Sequence, residues 1–134
     1  PLRLVGSEMC IRDRSNYLSN HPKIEKVFFP GNDKRHKEIA EKQMDGFGGM
    51  MSFVIDSDIN GVKTFLKNLN LFTLAESLGG VESLIEHPAI MTHASIDPSI
   101  REKLGISETL LRISVGIEDV DDLISDLDQA LSKI

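Results

Sequence analysis

The strongest constraint on the fold lies in residues 110–134, where a strand pattern runs directly into a helix pattern. Leu110–Val115 is apolar and rich in branched side chains, which favours a β-strand. After Glu118, apolar residues recur at three-and-four spacing from Val120 to Ile134, which predicts an amphipathic helix. Each element has an apolar face that must be covered, so the chain has to form layers of helix and sheet. A chain of 134 residues is long enough for one such domain and too short for two.

Weaker patterns precede this pair. Strands are predicted at Val27–Phe29, Met50–Ile55, Leu71–Leu74 and Val81–Ile85, and helices at Lys34–Met44, at Ile59–Leu69 and from Asp97-Pro98 to Gly105. Some of these strands follow one another without an intervening helix. The predicted fold class is therefore α+β, a mixed α/β sandwich with a small sheet and helices on one face.

Residues 1–16 do not share the pattern of the rest, because their charges are mixed and no apolar period is visible. Residues 1–14 also resemble a translated sequencing adapter. We predict a non-native or disordered leader over 1–16 and a domain over 17–134, with an ordinary N-terminal arm as the alternative. If the leader is non-native, Cys10, the only cysteine, has no functional role.

Charge and composition argue against several classes of partner. The net charge is −6 and no basic stripe is present, which argues against nucleic acid. No apolar run is long enough to span a bilayer and no secretory signal is recognisable, so we expect no membrane contact and a cytoplasmic location. The acidic run from Glu118 to Asp128 is typical of a solvated helix start, with a divalent-metal site as the less favoured alternative.

Arg112 is the most informative residue for function. Alternation along its strand places it on one face with Leu110 and Ser114. A charge within so apolar a strand needs a partner. That partner is either an internal carboxylate or the carboxylate or phosphate of a ligand, both of which match the planar fork of a guanidinium. The pattern alone favours the internal ion pair.

A second feature is the turn after Leu71–Leu74, where Glu76 and Ser77 precede Gly79-Gly80. Backbone N–H groups and the Ser77 hydroxyl could donate to an anion there. The pattern alone favours an ordinary glycine turn over an anion-binding site.

These features lie within ordered stretches that resemble a known family. The stretches are LFTLAESLGGVESL at 71–84, HPAIMTHAS at 87–95, GIS at 105–107 and LRISVGIED at 111–119. They resemble the C-terminal domain of the Cys/Met-metabolism enzymes that use pyridoxal phosphate, the cystathionine γ-synthase and γ-lyase branches above all. The resemblance implies the small, mostly antiparallel sheet found in that domain of type I pyridoxal-phosphate-dependent transferases.

The resemblance also implies roles for individual residues. Arg112 would bind the α-carboxylate of an amino-acid substrate, with Ser77 beside that carboxylate. Glu76 would face the distal amino group of a cystathionine-like substrate, a position where the β-lyase branch tends to be apolar. Thr92 and Leu78 would support the pocket without touching the substrate.

The family's cofactor groups are absent from the matched region. The family holds pyridoxal phosphate through a Schiff-base lysine, an acid, a stacked tyrosine and phosphate donors that lie upstream. We therefore expect no catalytic, cofactor-binding or metal-binding residue here, and no activity of the fragment alone. The expected parent is a homotetrameric cystathionine γ-synthase, with γ-lyase or a related sulfhydrylase or β-lyase as the alternative. A stand-alone module that binds an amino acid or a partner is the alternative of another class.

Overall fold

The computed structural model describes residues 5–32 and 34–134, without the side chains of residues 5–10 and 35. Within these ranges the chain forms five helices and five strands. In chain order they are α1 (Val5–Asn20), β1 (Ile24–Phe28), α2 (Lys34–Gln43), β2 (Met50–Ile55), α3 (Ile59–Lys67), β3 (Thr73–Leu74), β4 (Leu84–Glu86), α4 (Pro98–Lys103), β5 (Leu110–Ser114) and α5 (Val120–Leu131). None of these helices has the length and apolar character needed to cross a bilayer.

The strands form one sheet in the order β1-β2-β5-β4-β3. The β1–β2, β2–β5 and β4–β5 pairs are antiparallel, and β3–β4 is parallel. The predicted α+β class with a small, mostly antiparallel sheet is therefore confirmed.

One face of the sheet carries the core. Alternate residues of the central strands, such as Phe53 of β2 and Ile113 of β5, are fully buried there. They pack against the apolar stripes of three helices, which include Leu18 of α1, Phe65 of α3 and Leu127 of α5. Helices therefore cover this face, as the sequence predicts.

The opposite face carries the other alternating set. Leu110 and Ser114 of β5 and Leu84 and Glu86 of β4 are buried on this side, and Arg112 lies among them. The loop from β3 to β4 contacts this face through Ser114 and Arg112. A loop rather than a helix therefore meets the side of the sheet that carries Arg112.

A buried carboxylate on α5 holds the three residues that precede β3. Asp126 accepts hydrogen bonds from the backbone N–H groups of Asn70, Leu71 and Phe72 at 2.8, 2.8 and 3.2 Å. Because the Leu71 and Phe72 N–H groups serve Asp126, β3 contains only Thr73–Leu74. The predicted strand over Leu71–Leu74 is therefore longer than the observed one.

The strand predicted at Val81–Ile85 is displaced for a similar reason. The Ser83 N–H and hydroxyl and the Val81 carbonyl bond to residues 116–118 after β5, whereas the Ser83 carbonyl accepts the Thr73 N–H of β3. The observed β4 begins at Leu84 and continues to Glu86. Glu86 thus lies inside a strand whose predicted end was Ile85.

The expected boundary at residue 17 does not coincide with the end of an element, because α1 runs from Val5 to Asn20. Its buried side chains recur at Ile11, Arg14, Ser15 and Leu18, which is helical spacing. Two of these four are polar, so hydrophobic periodicity does not reveal the stripe. Residues 1–4 and the Cys10 side chain lie outside the described part of the chain.

Candidate functional site

Arg112 stands in the middle of β5, on the face turned away from the helices. Its side chain is 24% exposed. Nη2 lies 2.8 Å from Glu86 Oε2 and donates a hydrogen bond of 2.9 Å to the Glu76 carbonyl oxygen. The guanidinium is therefore held from β4 and from the β3–β4 loop while remaining partly accessible.

Glu86 is the internal partner that the sequence pattern left open. It faces Arg112 directly in the antiparallel β4–β5 register, and its side chain is 1% exposed. Sequence reasoning missed it because the predicted strand stopped one residue short. Alternation would have placed Glu86 on the same side of its strand as Leu84, but only the β4–β5 register shows that this side carries Arg112.

The ion pair with Glu86 leaves some N–H donors of the Arg112 guanidinium available to a ligand. Both contacts that join Arg112 to described residues use Nη2. A guanidinium carries five N–H donors, and those on Nε and Nη1 have no acceptor in the described ranges. These donors suit a carboxylate or another oxyanion.

The β3–β4 loop closes over the same face. The Gly79 N–H donates a hydrogen bond of 2.8 Å to Ser114 Oγ on β5. Gly79 adopts φ +74°, a conformation that side chains disfavour, so the turn requires glycine. Leu78, Gly79 and Ser114 border a cavity of about 110 Å³.

A carboxylate ties the far end of this loop to the end of β5. Glu118 accepts hydrogen bonds from the Ser83 backbone N–H at 2.7 Å and the Ser83 hydroxyl at 2.8 Å. Burial alone would raise the pKa of Glu118, but these bonds and the nearby Arg14 charge lower that pKa on balance. Gly116 has no room for a side chain, because an added Cβ would meet the Val81 carbonyl oxygen.

The predicted site residues are only partly brought together. The exposed β3–β4 loop contains three of them in succession, Glu76, Ser77 and Leu78. The Glu76 carbonyl of this loop accepts the hydrogen bond from Arg112. Thr92 lies apart, in the turns after β4, where its hydroxyl shares a hydrogen bond of 2.7 Å with His93 Nδ1. No described contact joins Thr92 to Arg112.

His87, the residue after Glu86, is buried and bonded to the backbone rather than open to a ligand. His87 is buried, and its Nε2 lies 2.7 Å from the Glu108 carbonyl oxygen. Burial lowers the pKa of His87, so its ring is neutral at pH 7 and Nε2 donates to that carbonyl. Within the described ranges, no three His, Cys, Asp or Glu side chains form a group that could hold a metal ion.

Comparison with known proteins gives consistent matches along the chain. Residues 2–132 match the family of Cys/Met-metabolism enzymes that depend on pyridoxal phosphate. The cystathionine γ-lyase of Dictyostelium discoideum is 55% identical over 120 residues, covering 88% of this chain and 31% of that protein. The cystathionine β-lyase of Lactococcus lactis subsp. cremoris (strain MG1363) is 53% identical over 133 residues, covering 98% and 35%.

Solved structures match to the same extent. Cystathionine γ-synthase from Xanthomonas oryzae pv. oryzae, in complex with aminoacrylate and cysteine, is 44% identical with a TM-score of 0.91. The match covers 98% of this chain and 34% of that one. The chain thus spans about a third of the length of the relatives it matches.

Proposed function

Because the chain belongs to the family of Cys/Met-metabolism enzymes that depend on pyridoxal phosphate, we propose that it forms the C-terminal substrate domain of a transsulfuration enzyme. The specific reaction we assign is that of cystathionine γ-synthase, the γ-replacement of an O-activated homoserine by cysteine to give cystathionine. The reaction of a cystathionine γ-lyase, or of a related sulfhydrylase or β-lyase, is the alternative, since relatives named γ-lyase and β-lyase are at least as similar in sequence.

The observation that carries the proposal is the placement of Arg112. A partly exposed guanidinium stands on a central strand, held at Nη2, and Nε and Nη1 have no acceptor among the residues that the structure describes. It lies next to a loop with Glu76 and Ser77 at its exposed edge. This arrangement suits the α-carboxylate of an amino acid, with Ser77 as a further donor beside it.

The cofactor of the family is pyridoxal phosphate, and the described residues do not by themselves form its site. The sequence has no lysine between Lys67 and Lys103 or between Lys103 and Lys133. Neither β4, β5 nor the β3–β4 loop can therefore supply a Schiff-base lysine. Tyr17, the only tyrosine, donates its hydroxyl to Asp128 on the helix side. We accordingly limit the role of this chain to substrate recognition.

The preference for a γ-synthase or γ-lyase reaction rests on Glu76. Its side chain is exposed, and within the described ranges no hydrogen bond or ion pair engages its carboxylate. A free carboxylate one residue from Ser77 suits the distal ammonium group of cystathionine. The cystathionine γ-synthase from Xanthomonas oryzae pv. oryzae has also been solved in complex with cystathionine.

Exposed apolar side chains support the idea that a further domain covers this region. Leu74, Leu78 and Val81 of the β3–β4 segment are 51%, 54% and 69% exposed, and Ile117 beside them is 62% exposed. Clustered exposure of this kind is typical of a surface that meets another protein layer. The proposal includes an upstream cofactor domain there, together with a homotetrameric, cytoplasmic parent enzyme.

Arg112→Lys in the full-length enzyme tests the carboxylate role. Lysine keeps the charge but loses the planar fork, so the KM for the amino-acid substrate whose α-carboxylate Arg112 would bind should rise about tenfold or more, the equivalent of one charged hydrogen bond. Steady-state kinetics of the variant and the unsubstituted enzyme give the comparison.

Arg101→Lys is the matched control, because Arg101 donates to the Ala89 carbonyl and not to the site loop. Its KM should stay within twofold of the unsubstituted enzyme. An unchanged KM and kcat in Arg112→Lys would refute the proposed role of Arg112.

A further inference from the structure

Glu86 has a feature that the proposed function does not use. The carboxylate is 1% exposed and lies 2.8 Å from Arg112 Nη2. Neither of its oxygens accepts a hydrogen bond of good geometry in the described ranges. A buried carboxylate without directed hydrogen bonds is unusual, because burial normally requires them. The charge of Arg112 is therefore what stabilises Glu86 in this position.

The attraction also restrains Arg112. Glu86 and Arg112 are paired residues of two hydrogen-bonded strands, so their backbones are fixed relative to each other. The Glu76 carbonyl holds the same nitrogen from the loop side. The two contacts at Nη2 fix the guanidinium, and Nε and Nη1 have no acceptor among the residues that the structure describes.

We propose that Glu86 is a positioning residue, which holds Arg112 in the orientation that receives a substrate carboxylate. This inference rests on the proposed function, since it assumes that Arg112 binds that carboxylate. An arginine side chain loses considerable rotamer freedom when it is ordered on binding. Glu86 removes that cost in advance, because the side chain is already ordered before a ligand arrives.

A purely structural ion pair makes a different prediction. In that case the loss of Glu86 would change the stability of the fold and leave carboxylate recognition as it is. A competitive role makes the opposite prediction, because the loss of the Glu86 charge would strengthen the binding of another carboxylate. Ligands that differ only in the carboxylate separate these cases.

The test measures equilibrium binding to the full-length enzyme by calorimetry, with two probes. L-Norvaline carries the α-carboxylate, and n-butylamine is the same molecule without it. Glu86→Gln should raise the Kd for norvaline about three- to tenfold and leave the Kd for n-butylamine within twofold. In steady-state kinetics, the KM for the amino-acid substrate should rise by a similar factor while kcat stays within twofold.

Glu86→Asp is the second variant, and it keeps the charge but shortens the reach to Nη2. It should raise the Kd for norvaline at least twofold, and it serves where Glu86→Gln does not fold. Ser52→Ala is the matched control, because Ser52 is the cross-strand neighbour of Arg112 on β2. Both Kd values should be unchanged in this control.

Arg112→Lys separates the inference from the proposed function. If Arg112→Lys leaves norvaline binding unchanged, the carboxylate role of Arg112 fails and the inference fails with it. If Arg112→Lys weakens norvaline binding while either Glu86 variant binds norvaline as well as or better than the unsubstituted enzyme, only the positioning role of Glu86 is overturned. Equal weakening for both probes also overturns it.

Discussion

Arg112 makes its polar contacts to the described residues through one nitrogen, Nη2. Alternation along the strand was enough to predict its face, because the period of a β-strand is local. The identity of its partner was not predictable from that pattern. Glu86 faces Arg112 only because β4 and β5 pair in one particular register, and register depends on contacts far apart in sequence.

The side chain of Glu76 provides a prediction at the scale of one residue. Its carbonyl holds Arg112 while its carboxylate is exposed, so removing the carboxylate should leave the site geometry intact. In the full-length enzyme, Glu76→Ala should raise the Kd for cystathionine about tenfold, the equivalent of one charged hydrogen bond to the distal ammonium group. The Kd for amino acids without that ammonium group should change less than twofold.

Glu82→Ala is the matched control for this comparison, because Glu82 is an exposed glutamate of the same loop. It should leave the Kd for cystathionine and the Kd for the shorter amino acids unchanged. Equal effects of Glu76→Ala on long and short substrates would argue against a contact with the distal amine.

At the scale of elements, those with local signals were predicted best. The β2 strand matches its prediction from Met50 to Ile55, and α3 begins at its predicted first residue, Ile59. The side chains of Asp58 and Asp97 cap the N-termini of α3 and α4. Caps and apolar spacing are properties of a few neighbouring residues. The elements β3 and β4 were misplaced because bonds to α5 and to the end of β5 determine their ends.

The two hydrogen bonds from Ser83 to the Glu118 carboxylate predict that the stability of the fold depends on pH. The folded-state pKa of Glu118 lies below its ordinary value of 4.5. Its contribution to folding is therefore fully present above that value and is lost as the pH falls through the folded-state pKa. Acidification from about pH 6 to about pH 3 should lower the thermal midpoint of the unsubstituted chain more than that of Glu118→Gln.

Glu82→Gln is the matched control, because it removes the charge of an exposed glutamate in the β3–β4 loop, next to Ser83. Its thermal midpoint should follow the unsubstituted chain at every pH, since Glu82 is exposed. Parallel curves for Glu118→Gln and the unsubstituted chain would show that Glu118 does not contribute to the acid sensitivity.

At the scale of the whole molecule, the fold presents the residues of the proposed binding site on one face of the sheet. A small sheet with helices behind it carries Arg112 on a face covered by a loop, and apolar side chains surround that loop. The sequence pattern predicted the layers, because amphipathic helices and apolar strands need each other. The roles of Glu76, Ser77 and Arg112 came from the resemblance to a family, since no local pattern distinguishes a carboxylate-binding arginine from a structural one.

The central claim is that this chain is the substrate domain of an enzyme whose cofactor domain precedes it. The most direct measurement is the genomic DNA sequence upstream of the codon for Tyr17. We predict an open reading frame that continues upstream and encodes a pyridoxal-phosphate domain with a Schiff-base lysine. A native promoter and start codon immediately before this segment, without such a domain, would contradict the claim.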